Sequence, residues 1–132
     1  MINELQKKKI ISWINTTLTQ LCIPAIIKEL KPILVSTSDG KTNESDIYEF
    51  KSNEFNTVPS IFKNVYITGK IIPNVTFKAI DGISYIDYDV SLNYKMKQYS
   101  FGENELYIGK MTCRFIKNSP DFFELINGLE LR

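Results

Sequence analysis

Histidine does not occur in this chain of 132 residues. Its absence removes the common general base at neutral pH, the commonest metal ligand and every serine–histidine or cysteine–histidine nucleophile. The two cysteines, Cys22 and Cys113, form no C-x-x-C pair, which excludes a disulfide framework and predicts two buried thiols. The six glycines are isolated from one another, so neither a phosphate loop nor a dinucleotide-binding turn is present.

A surplus of one charge and a long apolar run are missing as well. The chain has 16 basic and 15 acidic residues and a net charge of +1, so no long-range field draws a polyanion or an anionic membrane toward it. No apolar stretch approaches the roughly 18 residues of a membrane-spanning helix, and no signal-peptide cleavage site follows the N-terminal lysines. We therefore expect a cytoplasmic protein, or one assembled into a virion in the cytoplasm, with no membrane partner and no cofactor.

The residues that are present predict one α+β domain over residues 1–132. Apolar residues make up 43% and charged residues 23% of the chain, as in a globular protein with one core. Asn3 and Gln6 have the spacing of a capping box, and Pro24 ends the helical pattern. The apolar stripe of this amphipathic helix consists of Ile10, Ile14, Leu18 and Leu21, widened by Ile11 and Trp13. Pro24 also allows a short second helix over 25–30.

Alternating polar and apolar residues predict antiparallel strands after the helix. Short strands over 33–35 and 47–51, the second at a sheet edge, flank a polar segment over 36–46 that we expect to be a loop. From Asn64 the alternation is longer, and Asp81-Gly82 between two alternating runs is the pattern of a two-residue hairpin. The core-facing residues of the next strand are Ile86, Tyr88, Val90, Leu92, Tyr94 and Met96. The last long strand places on one face Tyr107, Gly109, Met111, Cys113 and Phe115.

The end of the chain has the signature of a helix. Ser119-Pro120 is a typical start and Gly128 a typical end, which predicts a short C-terminal helix through Phe122, Phe123 and Ile126. The expected fold is an N-terminal amphipathic helix packed on a strongly twisted antiparallel meander sheet of about four to six strands, followed by this short helix. Residues 64–117 form the meander, with one dry side and one wet side.

The wet side holds the candidate binding residues. They are aromatic and basic side chains that could stack and hold the bases of a single-stranded nucleic acid: Tyr66, Lys70, Tyr85, Lys95, Lys97 and Tyr99. Aromatic residues on strands more often pack than bind, and Asp87 and Asp89 on the same face oppose a polyanion. The two aspartates could themselves share a proton or bind a cation, or form a solvated pair answered by Lys95 and Lys97. We assign no catalytic residue and no metal ligand.

One stretch resembles a known family. Residues Asn64 to Gly69, then Pro73, Gly82 and the alternating strand to Tyr94, resemble the first three strands of bacterial single-stranded DNA-binding OB proteins, over about thirty residues. The resemblance implies a barrel that binds single strands. The helix between the third and fourth strands of that family is missing here, because residues 94–105 read as strand and loop. In shape alone, a helix on a curved sheet also resembles nuclear-transport-factor-like and cystatin-like domains.

Three functions follow from these patterns. The first is a non-catalytic structural or protein-binding component, whose partners are other protein chains, by self-assembly or in a larger complex such as a phage or mobile-element virion. The second is a single-stranded nucleic-acid-binding OB-like protein. The third is a small-ligand-binding or enzymatic cone-shaped α+β domain. We favour the first, because the sequence offers no constellation of reactive side chains.

Overall fold

The computed structural model describes residues 2–56, 65–98, 102–116 and 119–131; for 75–78, 97–98 and 119–123 it describes the backbone alone. These residues form a helix and six strands: α1 (Glu4–Gln20), β1 (Lys31–Ser36), β2 (Thr42–Lys51), β3 (Val65–Ile80), β4 (Ile83–Gln98), β5 (Gly102–Ile116) and β6 (Ser119–Leu131). The sheet order is β1-β2-β3-β4-β5-β6, and each strand is antiparallel to its neighbours. The predicted N-terminal helix and antiparallel meander are thus confirmed.

The sheet is larger than expected. A further backbone segment joins it beside β3, where Phe55 makes a single antiparallel bridge with Val65. Counting that bridge, seven stretches of the described chain pair in the sheet, which exceeds the four to six strands predicted.

Local capping fixes both ends of α1. The Asn3 side chain accepts a hydrogen bond from the Gln6 amide at 2.8 Å, and the Gln6 side chain accepts one from the Asn3 amide at 3.1 Å, which confirms the capping box. At the other end, the Ile23 amide donates to Leu18 and the Cys22 amide to Thr19, a pattern that leaves Cys22 at a φ of +57°. Leu21, predicted in the core stripe, is instead the exposed cap residue.

The segment over 23–30 contains no helix, so the expectation of a second helix is wrong. Burial alternates along it, with Ile23, Ala25 and Ile27 inside. The Asn15 side chain bonds to both backbone groups of Ile27, which have no helical partners. It donates to the Ile27 carbonyl at 2.9 Å and accepts from the Ile27 amide at 2.8 Å. Pairing with a side chain of α1 therefore holds this segment against the core.

The central hairpin has the predicted turn. Ile80 pairs with Ile83, and both turn residues have positive φ, +51° at Asp81 and +77° at Gly82, as a two-residue primed turn requires. The ladder between β3 and β4 shifts register between Asn74 and Lys78, close to the expected interruption. Tyr88, Val90 and Leu92 of β4 are buried, and Ile86 and Tyr94 pack against them from the border of the core.

The predicted alternation of β5 fails at one end. Met111, Cys113 and Phe115 are buried as expected, but the pairing jumps from Leu92 with Gly109 to Asn93 with Tyr107. The extra residue in β5 is Ile108, a bulge that turns Tyr107 to the outer side and brings Ile108 against the core. A bulge of one residue exchanges the two faces of a strand, which the sequence pattern did not reveal.

The predicted loop over 36–46 and edge strand over 47–51 are both corrected. Only the turn between Ser36 and Thr42 is irregular, and β2 lies inside the sheet with β1 at its edge. Because β2 pairs with β3 only from Tyr48 to Lys51, Thr42 to Glu44 have β1 as their partner in the sheet. We call residues 34–44 the β1–β2 arm.

The predicted C-terminal helix is replaced by β6. Phe122, Phe123, Ile126 and Gly128 all lie within this strand, which pairs with the second edge of β5. A helix of this length is marginal on its own, whereas pairing with β5 satisfies backbone groups of both strands. Ser-Pro and Gly are helix signals only where tertiary pairing does not compete.

The core lies between α1, the 23–30 segment and one face of the sheet. From the helix it receives Ile10, Trp13, Ile14 and Leu18, and from the sheet Tyr48, Phe50, Ile67, Ile71, Tyr88, Val90, Leu92, Met111, Cys113 and Phe115. The Tyr88 and Phe115 rings pack edge to face with centroids 5.7 Å apart. Burial of Cys113 confirms one of the two predictions about thiols, and exposure of Cys22 corrects the other.

Candidate functional site

A groove of about 870 Å³ lies on the outer face of the sheet, across β1 to β5. Three predicted binding residues meet here: Tyr66, Lys70 and Lys95. The other side chains that line it are Glu29, Lys31, Glu49, Phe50, Lys51, Ser52, Thr68, Gly69, Ser91, Asn93 and Glu105. We call this feature the outer groove.

Tyr66 is not presented as a stacking platform. The side chain is 4% exposed, and the Lys51 ammonium lies 4.3 Å from the centre of its ring. A base could stack on this ring only after the lysine moved away. Tyr66 therefore packs on the outer face, which is one of the two roles that the sequence allowed for it.

The charges of the outer groove nearly cancel. Four lysines face three glutamates, and Lys95 is further tied to Glu103 by an ion pair of 3.4 Å. The hydrogen bond from Lys95 to Glu103 is the main reason that the pKa of this ammonium is raised. Such an arrangement offers no continuous positive track for a phosphate backbone.

The acidic pair lies on the outer face near the other end of the sheet, and its partners differ from those expected. Arg114 holds Asp87 with two hydrogen bonds, from Nε to Oδ1 at 2.8 Å and from Nη2 to Oδ2 at 3.2 Å. Thr112 donates to Asp89 at 2.9 Å. Lys95, one of the two expected partners, instead pairs with Glu103, because the register between β4 and β5 places Arg114 and Thr112 directly opposite the two aspartates; the side chain of Lys97, the other expected partner, lies outside the described residues.

Tyr85, another predicted binding residue, belongs to this acidic end and not to the outer groove. The Arg114 guanidinium lies 5.0 Å from the centre of its ring, so the arginine joins the tyrosine to Asp87. Of the two remaining predicted residues, Tyr99 and the Lys97 side chain lie outside what the structure describes. The structure thus brings together three of the six predicted binding residues and separates Tyr85 from them.

Groups suited to catalysis are tied up in structural contacts. Burial raises the pKa of the Cys113 thiol to about 12, and burial likewise raises the pKa of the Tyr88 hydroxyl. Asp87 is engaged by Arg114 on both oxygens. Within the described residues, no three cysteine, aspartate or glutamate side chains gather closely enough to hold a metal ion.

The borders of the sheet carry features that the sequence analysis missed. β1 and β6 each have one neighbour among the described strands. Leu34 on β1 and Leu131 on β6 are exposed by 63% and 66%; Val35 next to Leu34 is exposed too, as is Leu125 farther along β6. A signal was available for β1, where three apolar residues in a row precede a polar turn, but the helix signals of 119–128 concealed β6.

Comparison with known proteins gives no match: no protein-family model, no curated protein and no solved structure matches the chain significantly. The described strands follow one another in a plain meander, unlike the Greek-key barrel that the OB-like sequence pattern over 64–94 would imply. In the described part of the chain, α1 included, helices lack the length and apolar character needed to cross a bilayer.

Proposed function

We propose that the chain is a non-catalytic structural component that docks on other protein chains through the open borders of its sheet. The observation that carries this proposal is the β1–β2 arm, in which Leu34 and Val35 are exposed on a strand that has one neighbour among the described strands. Unpaired strand edges accept a further strand from another chain, and exposed side chains beside the edge add apolar contact.

The build of the arm supports docking over a merely solvated loop. β1 and β2 pair from Leu34 with Glu44 to Ser36 with Thr42, and the turn is closed by hydrogen bonds from the Thr37 amide and hydroxyl to the Lys41 carbonyl, at 2.8 and 2.9 Å. An ordered ribbon that carries exposed apolar residues can bind at a smaller loss of conformational entropy than a flexible loop.

The other two functions have less support. For a nucleic-acid binder, the outer groove has balanced charges and a covered Tyr66. For a cone-shaped enzyme or ligand carrier, the described side chains between α1 and the sheet form one buried apolar cluster. A phage or mobile-element particle, the concrete assembly expected from the sequence, stays a prediction.

The test uses the full chain in native extract of its source. Wild type is expected to sediment as part of a larger protein complex. Leu34→Lys places a charge on the open strand and should release the free chain, because charged edge residues oppose strand addition. The matched control is Ile83→Lys, an exposed apolar residue at the β3–β4 turn, which should sediment like wild type. Sedimentation of wild type as a free 15.3 kDa chain would contradict the proposal.

A further inference from the structure

A row of directly opposed residues crosses the outer face from one border of the sheet to the other. The register of the five strand pairs gives the row, which runs Lys31, Glu49, Lys70, Ser91, Lys110 and Glu130. Directly opposed residues of antiparallel strands point to the same face, so these side chains are neighbours. We call them the charged row.

The two ends of the charged row are complementary. It begins with a lysine at the β1 border and ends with a glutamate at the β6 border, and both residues are exposed. Inside the sheet the row already sets lysine against glutamate, at Lys31 with Glu49 and at Lys110 with Glu130. A second copy placed border to border would repeat the same opposition.

Strand direction allows this arrangement. Because all five pairs are antiparallel, β1 and β6 run in opposite directions. The β1 of one copy laid beside the β6 of another therefore continues an antiparallel sheet without a break. With Glu130 opposite Lys31 of the next copy, exposed Leu34 and Val35 lie opposite residues 126–127 and close to Leu125.

We propose that this protein assembles with further copies of itself, head to tail, by pairing the β1 border of one copy with the β6 border of the next. The inference rests on the proposed docking function and names the partner as a second copy of this chain. Such a heterologous contact leaves one border free at each end, so it builds a ring if the rotation closes and a filament if it does not.

The alternative pairings between copies are disfavoured by charge or by backbone. Among the side chains of β6 that the structure describes, Glu124 and Glu130 are acidic and none is basic, so β6 against β6 would oppose like charges. β1 against β1 would bring two copies of Pro32 to one seam, and proline provides no amide hydrogen for the ladder. The mixed pair sets Lys31, the one charged residue of β1, opposite Glu130; the Lys31 ammonium also lies 3.4 Å from a Glu29 oxygen in an exposed ion pair of its own copy.

The test uses exchanged charges on the purified full chain. Lys31→Glu leaves both borders acidic, and Glu130→Lys leaves both borders basic. Each variant alone should therefore weaken self-association by about tenfold or more. Sedimentation velocity over a range of protein concentrations, up to high concentration, measures the self-association. An equal mixture of the two variants should recover wild-type association, because each acidic border of one variant can then pair with a basic border of the other. Lys8→Glu, the same charge change on the exposed side of α1, is the control.

Each other result overturns the inference in a distinct way. If Lys31→Glu alone has an effect, the contact is β1 to β1; if Glu130→Lys alone has one, it is β6 to β6. If the purified wild type stays monomeric while the native extract contains the complex, the partner is another protein, and the docking function stands without self-assembly. Circular dichroism checks folding, and Lys31→Gln with Glu130→Gln replaces any variant that does not fold.

Discussion

Arg114 and Asp87 face each other across β4 and β5 and share two hydrogen bonds, of 2.8 and 3.2 Å, with side chains that are only 14% and 11% exposed. The same guanidinium lies over the ring of Tyr85. Asp87, one of the two aspartates that could have shared a proton or bound a cation, is therefore part of a partly buried ion pair between neighbouring strands, and both of its carboxylate oxygens accept hydrogen bonds from Arg114.

The first prediction concerns this pair. Arg114→Met keeps most of the apolar stem but leaves the Asp87 carboxylate without its partner, so unfolding by urea should show a loss of about 2 to 3 kcal/mol. Asp87→Asn should also destabilise the chain, and the double variant should lose less than the sum of the two, since the second change removes a group already orphaned. Additive losses would show that the two residues act independently.

The hairpin turn gives the second prediction. Gly82 has a φ of +77° and open space where a Cβ would stand, so Gly82→Ala should cost about 1 kcal/mol through backbone strain alone. Gly128 in β6 also has open space around it, but its φ lies outside the left-handed region. Gly128→Ala should therefore be neutral or slightly stabilising in thermal unfolding. Equal losses at both sites would contradict the assignment of strain to the turn.

The hairpin turn, the helix cap and the Arg114–Asp87 pair show which features could be predicted from the sequence and which could not. Asp81-Gly82 and the Asn3–Gln6 box were found correctly, because the residues that determine each structure are at most three positions apart. Arg114 was not assigned to Asp87, because 27 positions separate them and the register depends on β4 and β5 pairing as they do. Pairing that spans many residues leaves little trace in any local pattern.

The same reason explains the errors at the borders of the sheet. The C-terminal strand was mistaken for a helix because Ser119-Pro120 and Gly128 are local signals of a helix. The edge of β5 with which this segment pairs leaves no such local signal in the sequence. The candidate site was found only in part: alternation placed Tyr66 and Lys70 on the outer face, but it could not show that Lys51 covers the tyrosine. Which residues cover one another depends on neighbouring strands.

The third prediction concerns the end of α1. Cys22 adopts a φ of +57° in a capping motif that favours glycine, so Cys22→Gly should raise stability by about 0.5 to 1 kcal/mol. The control is Lys8→Gly, at an exposed position inside α1, which should lower stability by about 0.5 to 1 kcal/mol because glycine disfavours a helix interior. Thermal unfolding of both variants measures the difference, and a loss at Cys22 would contradict the capping geometry.

The fourth prediction uses the two thiols. Cys22 is exposed and Cys113 is buried, so a disulfide reagent should titrate one thiol in the native chain and two after denaturation. Burial raises the pKa of the Cys113 thiol from 9.0 to about 12. Between these two pH values the folded state therefore keeps a proton that the unfolded state loses. The contribution of this group to stability is complete below pH 9 and is lost as the pH rises toward 12. Two fast native thiols would contradict the burial of Cys113.

The last prediction addresses the outer groove. Titration of labelled single-stranded oligonucleotide at about 50 and 200 mM salt should show no salt-sensitive binding, because the lysines of the outer groove are balanced by glutamates. Glu49→Lys with Glu105→Lys removes two of those glutamates and adds two cations at the same positions, so this variant should gain weak binding that falls with salt. It therefore serves as the positive control. Binding by wild type with a comparable salt dependence would show that Lys51 moves off Tyr66 and that the outer groove accepts a strand.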